Sequence, residues 1–292
     1  MNRQFPGNIV DPKTGEPHVP GATGKRIIDG IIDLLDMRNI ESAILDELKI
    51  FDSIPTKGLC YFRKSFIVTV VTALKSFFPD RDSDLSFVEI GGGEGYLARA
   101  FKKENPNGDV YVCDLSMEHL RMAPSDLIRI RCDARLPYLA PNSVDIAVFW
   151  VSLHHFSLDD MKAALGQAVT ALKPNGKLIL FEPNGAFLPR HLVMRTPLRH
   201  LVYFDDEEKP IDIRTTIDLL RPAGLTMHYS CGVNPPYSLD FLRKLPGGMF
   251  FYWFVESLYQ FDRFARKPLG KTLYSGNQRL WLGSYVFAAF SR

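Results

Sequence analysis

The 292-residue sequence lacks the features that would place it among disulfide-rich, zinc-binding or membrane-spanning proteins. Its four cysteines are far apart and form no C-x-x-C pair, so neither a disulfide framework nor a zinc site is expected. No apolar run approaches the roughly 18 residues of a membrane-spanning helix. The first residues, Met-Asn-Arg-Gln-Phe-Pro-Gly, also lack the apolar core of a signal peptide. We therefore expect a cytoplasmic protein.

The sequence also has little net charge. Lysine and arginine number 35 against 33 aspartates and glutamates, a formal balance of +2, so no overall field attracts nucleic acid. Apolar residues make up 46% and charged residues 23%, which is typical of a globular protein and excludes intrinsic disorder. Nucleic acid is therefore not the expected partner.

Two regions differ in their apolar pattern. Residues 1–24 are rich in glycine and proline and predict irregular structure. The apolar spacing over 25–78 predicts helices, one over Ile27–Leu35 and a second over Phe66–Phe77. Beyond residue 80, short apolar runs alternate with helical stretches, which is typical of a parallel sheet covered by helices on both faces. The apolar runs are Leu85–Ile90, Val110–Cys113, Leu127–Ile130, Val144–Trp150, Lys177–Phe181, Leu225–Cys231 and Tyr285–Phe290. The predicted organisation is an N-terminal helical extension over 1–80 and an α/β domain over 81–292.

A glycine-rich turn follows the first of these runs. Gly91-Gly92-Gly93-Glu94-Gly95 joins the strand to a helix whose first N–H groups have no partner within the helix. Its spacing is G-x-G-x-G, whereas the dinucleotide fingerprint is G-x-G-x-x-G. By itself the turn suits any nucleotide-like ligand.

Two aspartates follow the next two strands. The Asp114 carboxylate can accept hydrogen bonds from both hydroxyls of a ribose, and the alternative role of helix cap suits Ser116 better. Asp133, followed by Ala134, can accept a bond from an adenine amino group, although an aspartate here is also typical of a turn.

Together these residues resemble the class I S-adenosylmethionine-dependent methyltransferase family, in particular its small-molecule, ubiquinone/menaquinone-type members. Asp145–His155 is similar to the family's fourth-strand motif and Leu172–Glu182 to its fifth-strand motif. The resemblance implies a Rossmann-like sheet of seven strands in the order 3-2-1-4-5-7-6, with the last strand antiparallel. It implies S-adenosylmethionine as methyl donor, S-adenosylhomocysteine as product, and no metal. The donor-binding residues it implies are Glu89, Gly91, Gly92, Gly93, Gly95, Asp114, Leu115, Asp133, Ala134 and Trp150, with Tyr61 and Arg63 from an N-terminal lid.

Two histidines follow the predicted fourth strand, on the side where the methyl group would lie. A hydroxyl or amine acceptor needs a base to remove its proton, and we favour His155 over His154 for that role. The alternative is that both histidines serve packing.

The motif Asn234-Pro235-Pro236-Tyr237 has the residues with which amino-methyltransferases of nucleic acids hold a flipped base. In that class the motif follows the fourth strand, whereas here it follows the sixth. A nucleic-acid methyltransferase, a nicotinamide oxidoreductase and a non-catalytic donor-binding protein remain the alternatives to methyl transfer onto a small molecule.

Two insertions leave the sheet on the ligand side, over about 184–208 and 232–281. Both are aromatic, which favours a small-molecule or lipid-linked acceptor with an apolar body. The amphipathic segment 249–267 in the second insertion predicts a helix that caps the pocket, touches a membrane surface, or packs on the core.

Overall fold

The computed structural model describes residues 8–14, 16–17, 26–35, 45, 48, 64–81, 84–187, 209–233, 250 and 285–292. Helices and strands alternate through most of these ranges, as the apolar pattern predicts. The strands are β1 (Arg26–Ile28), β2 (Ile31–Asp33), β3 (Phe87–Ile90), β4 (Val110–Asp114), β5 (Ile128–Arg131), β6 (Val144–Trp150), β7 (Leu172–Pro183), β8 (Thr226–Val233) and β9 (Tyr285–Ser291). The α-helices are α1 (Lys64–Lys75), α2 (Tyr96–Glu104), α3 (Met117–Met122), α4 (Leu158–Ala171) and α5 (Ile213–Leu220).

The strands form one sheet in the order β1-β2-β5-β4-β3-β6-β7-β9-β8. Strands β3 to β7 pair in parallel, whereas β9 is antiparallel to both β7 and β8. The predicted order 3-2-1-4-5-7-6, with its antiparallel last strand, is therefore confirmed in β5-β4-β3-β6-β7-β9-β8. The strand count differs, because β1 and β2 extend the described sheet to nine strands.

The helix predicted over Ile27–Leu35 is wrong, because this segment forms the β1–β2 hairpin. Ile28 pairs with Ile31 across the two-residue turn Asp29-Gly30, where both φ angles are positive, +54° and +73°. Such angles suit the tight turn that joins twisted antiparallel strands, and Asp-Gly is a preferred sequence for it. Strand β2 then pairs in parallel with β5, so residues 26–33 belong to the sheet.

Both faces of the sheet are covered, because successive side chains of a strand point to opposite sides. On β6, Ala147 and Phe149 pack on the face that carries α4 and α5. Ile146 and Val148 pack on the face that carries α1, α2 and α3. The second predicted N-terminal helix is confirmed as α1, with Phe66, Val70, Val71 and Leu74 buried.

This layered arrangement brings the carboxyl ends of β3, β4, β5, β6 and β7 to one edge of the sheet. The residues that follow those strands therefore lie in adjacent turns, where open α/β sheets bind their ligands. Among the helices in the described ranges, none is long and apolar enough to cross a membrane.

Candidate active site

The glycine turn between β3 and α2 has a backbone that side chains would disturb. Gly91, Gly93 and Gly95 have φ angles of +66°, +52° and +68°. A Cβ atom at Gly91 would lie 2.5 Å from the Cβ atom of Ser152, in the loop after β6. The glycine therefore permits both the turn and the close approach of that neighbouring loop.

Two predicted donor-binding acids hold this turn in place. Glu89 is 1% exposed, and its Oε2 atom accepts a hydrogen bond of 2.7 Å from the Ala98 amide in α2. Burial raises the pKa of Glu89 to about 8, and the nearby Asp114 contributes in the same direction. Asp114 accepts bonds of 2.8 Å from the Gly93 amide at Oδ2 and from the Ser116 amide at Oδ1. The helix cap is Ser116, as expected, since its hydroxyl accepts from the His119 amide.

Asp133 makes an ion pair that sequence reasoning missed. Its Oδ2 atom lies 2.8 Å from Arg135 Nη2, and Arg135 Nε contacts both carboxylate oxygens at 3.0 and 3.1 Å. The other guanidinium nitrogen, Nη1, donates to Asp160 Oδ1 at 2.7 Å and so joins the loop after β5 to α4. The carboxylate predicted to hold an adenine amino group thus already accepts several bonds from Arg135. The D-x-R spacing was the only signal of this pair in the sequence.

Ala134 and Leu115 complete the predicted donor-binding set on this side, and both are half-buried. The backbone oxygen of Leu115 accepts a 2.9 Å bond from Arg131 Nε. Both residues therefore lie in the turns after β4 and β5 that the resemblance implies.

The two histidines have different surroundings in the 3₁₀ turn Leu153–His155. His154 is 4% exposed, and its Nδ1 atom lies 2.8 Å from Oε2 of Glu182, at the end of β7. His155 is half-buried, and its ring centre lies 4.0 Å from that of His154. Burial and the neighbouring His154 lower the pKa of His155 to about 4. His155 is therefore neutral at physiological pH and chemically able to accept a proton.

Four aromatic rings pack against one another near the same edge, where Phe66, Trp150 and Phe181 are buried and Tyr285 is half-buried. Trp150 stacks on Phe181 with ring centres 4.3 Å apart, and Phe181 stacks on Tyr285 at 5.0 Å. Phe66 of α1 contacts both Trp150 and Phe181. The rings come from β6, β7, β9 and α1, so tertiary structure alone brings them together. We call these four residues the aromatic wall.

Several predicted features lie outside the described residues. They are the lid residues Tyr61 and Arg63, the motif Asn234–Tyr237, residues 188–208 of the first insertion, residues 234–281 of the second apart from Phe250, and hence the predicted helix 249–267. Within the described ranges, no group of three or more histidine, cysteine or acidic side chains is arranged to hold a metal ion.

Comparison with known proteins finds a matching domain model and solved structures of similar fold. A family model described as a methyltransferase domain matches residues 88–178. No curated protein gives a significant match. Geranyl diphosphate methyltransferase, solved with GPP and sinefungin, is similar with a TM-score of 0.50 and 14% identity over 77% of this chain and 78% of that one.

Two further solved structures have lower TM-scores. An S-adenosylmethionine-dependent methyltransferase from Mesorhizobium loti gives 0.48 at 18% identity, over 76% of this chain and 96% of that one. The mitomycin 7-O-methyltransferase MmcR gives 0.45 at 16% identity over 78% of this chain, which spans 53% of MmcR. At 14% identity, the similarity to geranyl diphosphate methyltransferase shows the fold alone, and the matched domain, residues 88–178, contains the carboxyl ends of β3, β4 and β6.

Proposed function

We propose that the chain is a class I S-adenosylmethionine-dependent methyltransferase whose acceptor is a small or lipid-like molecule with an apolar body. The observation that carries this proposal is the aromatic insertion over about 232–281, which leads into β9 at Tyr285, the half-buried ring of the aromatic wall. Small-molecule sites are predominantly lined by apolar and aromatic side chains, with a few polar groups that fix orientation. Trp150 and the two histidines follow one another on the same strand and turn, so an apolar surface and a proton acceptor belong to one region of the edge.

The described residues fit the methyl donor. The glycine turn leaves backbone accessible at Gly91, which is exposed. A carboxylate can accept about four hydrogen bonds, so the bonds from Gly93 and Ser116 to Asp114 are compatible with two further bonds from ribose hydroxyls. At Asp133, an adenine amino group would have to share the carboxylate with Arg135 or displace one of its contacts.

Bound S-adenosylmethionine would supply an activated methyl carbon that a nucleophile can attack in line, with S-adenosylhomocysteine as the leaving group. The chain's own residues then have three tasks: to hold the donor, to align the acceptor and to exclude water. We assign the first task to the glycine turn, Asp114 and Asp133, and the other two to Tyr285 and the aromatic insertions. His155 is the proposed acceptor of the proton that a hydroxyl or amine loses, because it is the more exposed of the two histidines and its neutral ring has a nitrogen lone pair.

Calorimetric titration with S-adenosylhomocysteine tests the donor site. We expect wild-type protein to bind it and not NAD, and Asp114→Ala to lose on the order of 2–4 kcal/mol, since the ribose hydroxyls lose their acceptor. Asp145→Asn is the matched control, because Asp145 is a buried acid at the opposite end of β6 that contacts Ser86 and Lys173. Equal affinity in wild type and Asp114→Ala would contradict the proposed site.

Transfer of labelled methyl groups tests the acceptor class. Donor labelled on the methyl carbon would be incubated with hydroxylated quinone-like rings, prenyl phosphates and polyketide phenols, and in parallel with DNA and RNA. We expect label in an apolar small-molecule fraction. Label in nucleic acid would favour the alternative that rests on Asn234–Tyr237, and donor binding without transfer to any acceptor would favour a non-catalytic binding protein.

A further inference from the structure

Glu182 is a buried acid that the proposed function does not yet use. It lies near the end of β7, with 0% of its surface exposed, and its backbone pairs with Val286 of β9. Burying a carboxylate is costly unless hydrogen bonds compensate it. Its contacts therefore indicate what it stabilises.

All the contacts described for this carboxylate go to one loop. Oε1 accepts hydrogen bonds from the Ser152 amide at 2.9 Å and from the Leu153 amide at 2.8 Å. Oε2 lies 2.8 Å from Nδ1 of His154. When Glu182 is ionised it only accepts hydrogen bonds, and Nδ1 then carries the hydrogen of this contact. Glu182 thus holds the backbone of the turn after β6 and also fixes the tautomer of its first histidine.

The same loop is joined to the donor side of the site. The Ser152 hydroxyl donates to the backbone oxygen of Ile90 at 2.8 Å, immediately before the glycine turn. Ser152 also occupies the space that a side chain at Gly91 would need. Hydrogen bonds therefore hold the loop on one side to the strand before the glycine turn and on the other side to Glu182.

His154 connects the loop that Glu182 holds to His155, the proposed proton acceptor. It is almost fully buried, whereas the neighbouring His155 is half-buried, so His155 is the more accessible of the two residues. The two rings are tilted by 38° at a centre distance of 4.0 Å. The position of His155 thus depends on a ring that Glu182 holds.

We infer that Glu182 and His154 form a positioning pair: the buried carboxylate fixes the loop and the His154 ring, and this ring holds His155 in place. The inference rests on the proposed function for the role of His155 as proton acceptor. The pair itself contacts neither donor nor acceptor in this assignment. It acts through His155.

Glu182→Gln tests the first half of the inference. The Ser152 and Leu153 amides both need an acceptor, so they orient the glutamine with its oxygen toward the backbone and its NH₂ group toward His154. Nδ1 must then accept a hydrogen bond, and His154 must change to the tautomer protonated at Nε2. Ring ¹⁵N chemical shifts should report this change in the ligand-free protein. A His154 ring that keeps its hydrogen on Nδ1 in this variant overturns the inference.

His154→Gln tests the second half and remains informative if Glu182→Gln does not fold. Glutamine can still donate to Glu182, but it has no ring that packs on His155 and cannot become charged. Because His154 is one of the two causes that lower the pKa of His155, the titration midpoint of His155 should rise from about 4 toward 6.5 and remain below it, since burial persists. An unchanged midpoint in the His155 ring signals overturns the inference.

Asp145→Asn is the control for general destabilisation. It removes a different buried charge, at the amino end of β6, which is far from the site at the carboxyl ends of the strands. It should leave the tautomer of His154 and the titration of His155 unchanged. When an acceptor has been identified by the methyl-transfer assay, Glu182→Gln should lower the kcat of methyl transfer by about tenfold or more. The KM for the methyl donor should stay within about threefold of the wild-type value. The NMR readouts need no ligand, so failure of donor binding in wild type would reject the proposed function and leave the Glu182–His154 pair still testable.

Discussion

At Gly91 the active-site edge leaves no room for a side chain. Its φ of +66° is in the left-handed region, and a Cβ atom would overlap that of Ser152. Both restrictions arise where β3 and the loop after β6 approach each other. A single methyl group at this position should therefore disturb the donor side and the histidine loop together.

Gly91→Ala should lower the free energy of unfolding by about 2 kcal/mol or more, because the left-handed conformation alone costs a residue with a Cβ atom about 1–2 kcal/mol. It should also weaken S-adenosylhomocysteine binding. Urea unfolding and calorimetry measure the two effects. Gly166→Ala is the matched control: it lies in α4 with no atom within 4 Å of an added Cβ, so it should stabilise the helix by about 0.5–1 kcal/mol. A Gly91→Ala protein as stable as Gly166→Ala would contradict the steric argument.

Among the elements, the β1–β2 hairpin has the weakest attachment to the sheet. Strand β2 pairs with β5 at only two positions, whereas β3 pairs with each neighbour at four. Arg129 of β5 adds a 2.8 Å bond from Nη2 to the backbone oxygen of Asp29 in the hairpin turn. We therefore expect the amides of β1 and β2 to exchange hydrogen faster than those of β3 and β6.

Gly30→Ala should accelerate that exchange selectively. The alanine would adopt a φ of +73°, and its Cβ atom would lie 3.0 Å from Arg129 Nη2, the atom that holds the turn. Hydrogen exchange measured by mass spectrometry should locate the effect in residues 26–33. Gly224→Ala carries comparable backbone strain at φ +75° with open space around it, so it should lower stability without affecting the hairpin. Equal exchange in the hairpin of both variants would show that Arg129 is not its anchor.

For the whole molecule, two active-site groups make stability depend on pH in opposite directions. Folding raises the pKa of Glu89 from 4.5 to about 8, so the folded state binds the extra proton and stability falls as pH rises through this interval. Folding lowers the pKa of His155 from 6.5 to about 4, so its contribution is present above 6.5 and is lost as pH falls toward 4. Of these two groups, only Glu89 still changes its protonation appreciably between pH 6.5 and 8.

Glu89→Gln should therefore remove the decline in stability between pH 6.5 and 8. In wild type this decline should be on the order of 1–2 kcal/mol, from the proton that Glu89 loses over the interval. The glutamine oxygen can still accept the bond from the Ala98 amide, so the fold should persist. Urea unfolding at several pH values measures both proteins. Parallel pH profiles for wild type and variant would contradict a raised pKa at Glu89.

The sequence by itself determined the alternation of strands and helices from β3 onward and the glycine turn, because both depend on local apolar spacing and on residues a few positions apart. The hairpin was mistaken for a helix since Ile27, Ile28, Ile31 and Ile32 fit a helical spacing as well as two short strands, although Asp29-Gly30 was a turn signal. Only the tertiary structure decided the pairing of β2 with β5, the aromatic wall, and the contact between Glu182 and His154. These depend on segments far apart in the chain, and a one-dimensional pattern carries no information about which buried acid meets which ring. The Asp133–Arg135 pair is local, but its link to Asp160 exists only because the fold places α4 beside the loop after β5.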